Sequence, residues 1–212
     1  MAKKPVVQTD EQERTYHQSN TLKLKIDNLK TFSPLTENQR KFFDAYRQGD
    51  YFIALLGSAG TGKSFIALYK ALEEVLDKGN GYSKVVIVRS AVPTRDLGHL
   101  PGSVDDKMEI YELPYIQICH TLFGRSDAYT RLKEQKHIDF IPTSYIRGMT
   151  LDNCVVIFDE IQSNTYHEIA SVITRIGENS KIILCGDIKQ NDLLYKKNDT
   201  SGYSKFIDIA RS

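Results

Sequence analysis

The chain has 212 residues, of which 41% are apolar, and a formal net charge of +1 at neutral pH. This length and composition fit one large soluble domain, or a domain with a tail, and they exclude binding to nucleic acid through a global positive field. No apolar run approaches the roughly 18 residues that a membrane span needs, and residues 1–5 lead into polar sequence. We therefore expect a cytoplasmic protein with no membrane partner.

The first predicted segment is a polar tail. Residues 1–34 lack a sustained apolar period, apart from a short strand or helix around residues 22–26. A helix is predicted next, because Thr36 can cap it and aromatic residues recur at helical spacing until Gly49. We place the start of the folded domain here, so that it covers residues 35–212.

A glycine-rich sequence follows the first predicted strand. The apolar run at residues 52–56 leads into GSAGTGKS, and a helix is predicted from residue 63 to about residue 77. This order and spacing are typical of a P-loop, whose backbone N–H groups wrap a triphosphate at a helix N-terminus. A glycine turn with no ligand is the alternative, but it does not explain the lysine and serine at fixed spacing. We assign nucleotide binding to Gly57, Ser58, Ala59, Gly60, Thr61, Gly62, Lys63, Ser64 and Phe65.

Two residues of this loop have specific predicted roles. Lys63 supplies a mobile ammonium group for the β- and γ-phosphates, which makes it part of the catalytic set. Ser64 is predicted to hold Mg²⁺ through its hydroxyl group.

Three more buried strands are predicted, at residues 84–89, 154–158 and 181–185. Their nearly continuous apolar runs alternate with helices, such as one over residues 166–176, which favours a parallel sheet with helices on both faces. Between the first two of these strands, residues 90–150 are predicted as a long irregular stretch with short amphipathic pieces.

Acidic residues follow the second of these strands. Asp159 is assigned to Mg²⁺ and Glu160 to the attacking water, because a P-loop enzyme needs a carboxylate for each task. A polar strand end followed by a helix cap is the alternative. The acidic pair predicts hydrolysis in addition to binding.

Two glutamines complete the predicted nucleotide site. Gln190, after the last strand, is expected to reach the γ-phosphate or the water, and a polar loop is the alternative. Gln39 precedes the P-loop strand by one helix, and its amide can pair with both a donor and an acceptor on the adenine edge. A solvated helix residue is the alternative for Gln39.

A nucleic-acid contact would need aromatic and basic side chains side by side. Such groups are His120, Phe123 and Arg125, and Tyr129 with Arg131 and Lys133, although an ordinary solvated loop explains them at least equally well. Arg89 ends a strand at the expected ligand edge, where it contacts nucleic acid, couples domains, or forms a structural salt bridge.

Several motifs occur together in a characteristic order. They are LTENQ at 35–39, the loop at 57–64, VRSAVP at 88–93, IRGMTL at 146–151, FDEIQ at 158–162 and GDIKQ at 186–190. With this set the chain closely resembles the PhoH-like family from residue 35 to its C-terminus. That family comprises ATPases of bacteria and their phages, described as phosphate-starvation-inducible and related to the first RecA-like core of superfamily 1 helicases.

The resemblance implies an α/β P-loop NTPase fold with ATP and Mg²⁺ as cofactors and Asp159 and Glu160 as the Walker B pair. It also implies ring oligomers, often hexamers, and makes Arg147 and Arg175 candidates for RNA or subunit contacts. Family domains normally continue through a further strand and an arginine-containing helix, so we expect this chain to lack that last part.

The leading hypothesis is an Mg²⁺-dependent ATPase that couples hydrolysis to remodelling of RNA or another single-stranded nucleic acid. A nucleotide-dependent regulatory or assembly protein without helicase activity is the alternative. A small-molecule kinase fits less well, since nothing resembles an arginine-bearing lid or a second substrate pocket.

Overall fold

A computed structural model describes residues 23–79, 81–90 and 104–187, except the side chains of residues 104–108. The strands are Phe52–Leu56 (β1), Lys84–Arg89 (β2), Ile138–Pro142 (β3), Cys154–Asp159 (β4) and Lys181–Gly186 (β5). The α-helices of the described residues are Glu37–Gln48 (α1), Lys63–Leu76 (α2), Val104–Phe123 (α3), Ala128–Glu134 (α4) and Tyr166–Ile173 (α5). The strands form one parallel sheet in the order β1-β5-β4-β2-β3.

Both faces of this sheet are covered. Alternate residues of a strand point to opposite faces, so Val85 and Ile87 pack with α1 to α4, whereas Val86 and Val88 pack with α5. The predicted α/β fold, with a mostly parallel sheet and helices on both faces, is confirmed.

Helix α1 begins and ends where its sequence signals lie. The Thr36 side chain accepts a hydrogen bond from Gln39 N at 3.3 Å, which satisfies one of the unpaired N–H groups of the first turn. Gly49 has a φ of 86° and ends the helix in the left-handed conformation.

Within the stretch predicted as irregular, residues 90–150, the part from residue 104 onwards is largely regular, and the prediction was wrong there. It contains α3 with Pro114 inside it, α4, and the strand β3, which pairs with β2. Buried Tyr115, Cys119 and Leu122 do recur at helical spacing in α3. The proline and a run of polar residues masked this period.

The packed part of the chain also begins before the predicted boundary at residue 35. Leu24 is buried, and Ile26, Leu29 and Phe32 pack against the same core. The short strand or helix predicted around residues 22–26 is, in the described residues, a 3-10 turn at Ile26–Asn28, and burial of the apolar side chains orders residues 24–32 as part of the domain. The rest of the predicted tail, residues 1–22, lies outside the described residues.

Two further predictions fall outside the described part of the chain. Gln190 lies there. So does the C-terminal segment, residues 188–212, to which the predicted lack of the family's last strand and helix refers. Within residues 23–79, 81–90 and 104–187, no helix has both the length and the apolar character needed to cross a bilayer.

Candidate nucleotide-binding site

The glycine loop and the acidic strand ends meet at one edge of the sheet. Strand β5 lies between β1 and β4, so the carboxyl ends of all three strands are neighbours. Gly57 N donates a hydrogen bond to Gly186 O at 3.1 Å, which ties the start of the loop to the end of β5. Open α/β sheets bind ligands at this edge.

The loop has the backbone geometry of an anion-binding turn. Gly60 and Gly62 have φ values of 74° and 78°, a region where a residue with a Cβ is strained. Helix α2 begins at Lys63, directly after the loop, so its unpaired N–H groups face the same space. Lys63 Nζ donates hydrogen bonds to Gly57 O at 3.0 Å and Ser58 O at 2.8 Å, which hold the ammonium group against the loop.

Ser64 and Asp159 are in direct contact. Ser64 Oγ donates a hydrogen bond to Asp159 Oδ1 at 2.9 Å, and the Asp159 side chain is buried. Burial raises the pKa of this carboxyl above its usual value, while the hydrogen bond from Tyr115 acts in the opposite direction. A hydroxyl and a carboxylate oxygen side by side are hard donors that suit Mg²⁺, which usually takes only one or two protein ligands besides phosphates and water.

Tyr115 of α3 is a site residue that the sequence analysis missed. It is 1% exposed, and its hydroxyl donates a hydrogen bond to Asp159 Oδ2 at 2.8 Å. Both oxygens of Asp159 therefore have a hydroxyl partner, Ser64 on one side and Tyr115 on the other. No local signal marks Tyr115, because the contact depends on where α3 packs.

We expect Tyr115→Phe to lower the stability of the fold and to raise the Mg²⁺ concentration needed for half-maximal ATP turnover. Losing one donor to a buried carboxylate costs about 1–3 kcal/mol, and Asp159 loses the group that orients it. Thermal unfolding and the Mg²⁺ concentration for half-maximal ATP turnover measure the two effects. Tyr69→Phe is the matched control, because Tyr69 is also buried and donates to a carboxylate, that of Glu73. An equal shift in Mg²⁺ dependence for both variants would contradict the assignment.

Glu160 has an unusual backbone conformation. Its φ of 53° and ψ of 45° lie in the left-handed region, which costs a residue with a side chain about 1–3 kcal/mol. Asn164 Nδ2 donates to Glu160 O at 3.1 Å, and Gln162 Nε2 donates to the Glu160 carboxylate. The side chain thus lies at the site in a defined position.

A second carboxylate, that of Asp187, contacts the loop itself. Ala59 N donates a hydrogen bond to Asp187 Oδ2 at 2.7 Å, and Asp187 is buried. This N–H belongs to the predicted phosphate-binding set, so a phosphate oxygen and the Asp187 carboxylate compete for it. Asp187 is part of the GDIKQ motif at 186–190, and no role was predicted for it from the sequence.

These groups surround a cavity of about 270 Å³. The loop and the first turn of α2, including Phe65, line one side, and Ile118, Glu160 and Asp187 line the rest. The structure therefore brings together the predicted phosphate-binding residues and the predicted water-activating carboxylate.

Gln39 lies beside the loop. Its Nε2 donates to Thr61 O at 3.2 Å, and its Oε1 accepts from Leu35 N at 2.8 Å. A glutamine amide has two N–H groups and two lone pairs, so one of each remains for a base. The predicted adenine contact is compatible with this geometry.

The three predicted arginines lie in different places. Arg89 pairs in register with Asp159 across β2 and β4, and its positive charge favours the ionised form of that carboxyl. Arg147 is exposed after a short 3-10 turn, and Arg175 lies in the connection that enters β5 at its amino end. The amino end is the edge opposite the loop, so Arg175 is not part of this cavity.

The aromatic and basic pairs proposed as a nucleic-acid footprint do not form one. Phe123 and Tyr129 are buried in the core, so their rings are unavailable for stacking on bases. Arg125 and Arg131 both bind Asp127, whose pKa their hydrogen bonds lower to about 2. The charged residues of this segment therefore pair with one another at the surface, while its aromatic rings are buried in the core.

Comparisons with known proteins find relatives that match most of the chain. The PhoH-like protein of Bacillus subtilis (strain 168) is 36% identical over 159 residues, which is 74% of this chain and 49% of that protein. The PhoH-like protein of Mycobacterium bovis is 31% identical over 181 residues, which is 85% of this chain and 50% of that protein. The chain thus spans about half the length of these curated relatives.

Among solved structures, the chain is similar to one described as the Sulfolobus solfataricus SWI2/SNF2 ATPase core in complex with dsDNA. The identity is 15%, the TM-score is 0.46, and the match covers 84% of this chain and 36% of that one. At that distance the similarity carries no weight for function.

A family model covers nearly all of the domain. The model described as "PhoH: PhoH-like protein" matches residues 31–212, which include the loop, Asp159 and Glu160. The chain belongs to the PhoH-like protein family.

Proposed function

We propose that this protein is an Mg²⁺-dependent ATPase that couples ATP hydrolysis to remodelling of RNA or another single-stranded nucleic acid. The observation that carries the hydrolysis proposal is the contact between Ser64 Oγ and Asp159 Oδ1 at 2.9 Å. It joins the phosphate-binding loop to the strand end that carries Glu160. A nucleotide-binding module without hydrolysis needs no positioned carboxylate next to this contact.

Each residue has a defined task in this proposal. The loop N–H groups and Lys63 bind and orient the phosphates, while Ser64 and Asp159 would hold Mg²⁺. When bound, the ion supplies positive charge that offsets the charge on the β- and γ-phosphate oxygens. Glu160 accepts a hydrogen bond from the attacking water and orients it. Gln190 remains a predicted γ-phosphate sensor.

Gln39 is proposed to select adenine. We expect Gln39→Ala to lower the preference for ATP over GTP by about tenfold, since two hydrogen bonds to the base are worth about 1–3 kcal/mol together. Loss of the contact with Thr61 weakens the binding of ATP and GTP alike. The ratio of their dissociation constants therefore isolates the role of Gln39 in base selection. Gln48→Ala, at the exposed end of the same helix, should leave the ratio unchanged. An unchanged ratio in Gln39→Ala would contradict the adenine contact.

The nucleic-acid part of the proposal has its support in one exposed turn. Tyr145 is 61% exposed, and Arg147, two residues later, is also exposed. An exposed aromatic ring can stack on a base, and an exposed guanidinium group can neutralise a phosphate.

The ring part of the proposal has its support in the cavity lining. Among the residues that the structure describes, no arginine lines the cavity. Phosphoryl transfer commonly uses an arginine supplied from outside the P-loop core, and a neighbouring subunit of a ring would supply it.

The test of the coupling is ATP turnover of the purified chain with and without single-stranded RNA, with light scattering in the presence of ATP and Mg²⁺. We expect RNA to stimulate turnover and ATP to promote a closed oligomer. Equal ATP turnover with and without RNA, together with an ATP-dependent oligomer, would favour the alternative of a regulatory or assembly protein. A monomer without turnover would contradict both.

A further inference from the structure

Gln162 connects the two acidic strand ends of the site. Its side chain is 1% exposed and lies in a short 3-10 turn directly after β4. Nε2 donates a hydrogen bond to Glu160 Oε2, and Oε1 accepts one from Asp187 N at 2.9 Å. One buried amide therefore contacts the proposed water-activating carboxylate and the backbone at the end of β5.

The two partners determine which kind of side chain can stand here. A carboxylate needs a donor, a backbone N–H needs an acceptor, and an amide offers both on one planar group. A glutamate would place a second negative charge against Glu160, and a methionine would fill the volume without either hydrogen bond. Because the Gln162 side chain and its contact with Asp187 N are buried, water cannot readily replace that contact.

The contacts continue from Gln162 to the phosphate-binding loop. Asp187, whose N–H binds Gln162, also accepts the hydrogen bond from Ala59 N at 2.7 Å through its carboxylate. A phosphate oxygen that binds Ala59 N displaces this carboxylate. Asp187 therefore contacts the loop through its carboxylate and Gln162 through its backbone N–H.

We infer that Gln162 is a positioning residue, which holds the Glu160 carboxylate in place and links its orientation to the occupancy of the loop through Asp187. The inference rests on the proposed ATP hydrolysis. Glu160 needs such a restraint, because its left-handed backbone and partly exposed side chain leave the carboxylate otherwise free to turn towards solvent.

The experiment compares the turnover number and the KM for ATP in Gln162→Met, Gln162→Glu and Gln135→Met. Gln135 is the matched control, since it also uses both amide atoms, on Leu24 N and Leu24 O, before β3 at the opposite edge of the sheet. We expect both Gln162 variants to lower the turnover number about 10–100-fold with KM within about threefold of wild type, because a misplaced catalytic group slows the chemical step. Gln135→Met should stay within about twofold of wild type in both constants.

The double variant Gln162→Met with Glu160→Gln separates positioning from a general structural role. If Gln162 acts through Glu160, the double variant turns over no more slowly than Glu160→Gln alone. Multiplied losses, a rise in KM at an unchanged turnover number, or an equal loss in Gln135→Met would each overturn the inference. Melting temperatures show that each variant is folded, and the nearly isosteric Gln162→Glu covers the case in which the methionine variant is not.

Failure of the inference is distinguishable from failure of the proposed function. If both Gln162 variants have the same turnover number as the wild type, only the inference is overturned. Wild-type turnover no higher than that of Lys63→Ala overturns the proposed function and the inference together.

Discussion

Glu160→Gln is expected to lower the ATP turnover number by roughly 10²–10⁴-fold and to leave ATP affinity within about threefold of wild type. The new amide has nearly the same shape but cannot act as a base towards water. Affinity should persist, because the groups assigned to the phosphates are the loop N–H groups and Lys63, and none of them changes. Single-turnover hydrolysis and the dissociation constant of a fluorescent ATP analogue measure the two quantities.

The control for this variant is Glu134→Gln, an exposed glutamate at the end of α4. It changes charge in the same way and should leave turnover unchanged. Glu160→Gln with wild-type turnover would show that another group activates the water. A large loss of affinity would show that Glu160 supports nucleotide binding instead.

Lys63→Ala is expected to reduce turnover by at least about 10²-fold and to weaken ATP binding as well. The ammonium group is held at the loop by the carbonyls of Gly57 and Ser58, where the β- and γ-phosphates are predicted to lie. Its removal takes a positive charge from the ground state and from the transition state, in which negative charge shifts towards the leaving-group oxygen of the β-phosphate. Steady-state phosphate release gives the loss in turnover, and ATP titration gives the loss in affinity.

Lys41→Ala provides the comparison, because Lys41 lies on the exposed face of α1 in a surface ion pair with Glu37. Surface pairs of this kind contribute about 0–1 kcal/mol, so both turnover and stability should hold. Unchanged turnover in Lys63→Ala would remove the loop from the reaction.

The sequence predicts the parts of the fold that have local signals. Thr36 and Gly49 mark the ends of α1, and the strand, loop and helix around Lys63 follow one another without interruption. The segment between β2 and β4 has weaker signals, since Pro114 interrupts the helical period of α3 and Asp139 interrupts the apolar run of β3. Its structure depends on packing against the sheet.

The candidate site divides in the same way. Ser64, Asp159 and Glu160 can be predicted because each follows a recognisable strand or loop. The roles of Tyr115, Gln162 and Asp187 depend on contacts between segments that are distant in the chain, such as Ala59 N with Asp187 Oδ2. Those contacts follow from the strand order, in which β5 lies between β1 and β4, and no local pattern specifies that order.

The predicted nucleic-acid footprint failed for a related reason. Aromatic and basic residues next to each other in sequence resemble a binding surface, but on a helix they point to different sides. Tyr129 faces the core, while Arg131 binds Asp127 at the surface. The proposal therefore moves to Tyr145 and Arg147, which are both exposed.

The central claim is that residues 57–64, Asp159 and Glu160 form one Mg²⁺-dependent site for ATP hydrolysis. The most direct measurement is phosphate release from ATP by the purified wild-type chain, with Mg²⁺ and with excess EDTA. We expect steady turnover with Mg²⁺ and none above the protein-free background with EDTA. Equal phosphate release in both conditions, or none in either, would contradict the claim.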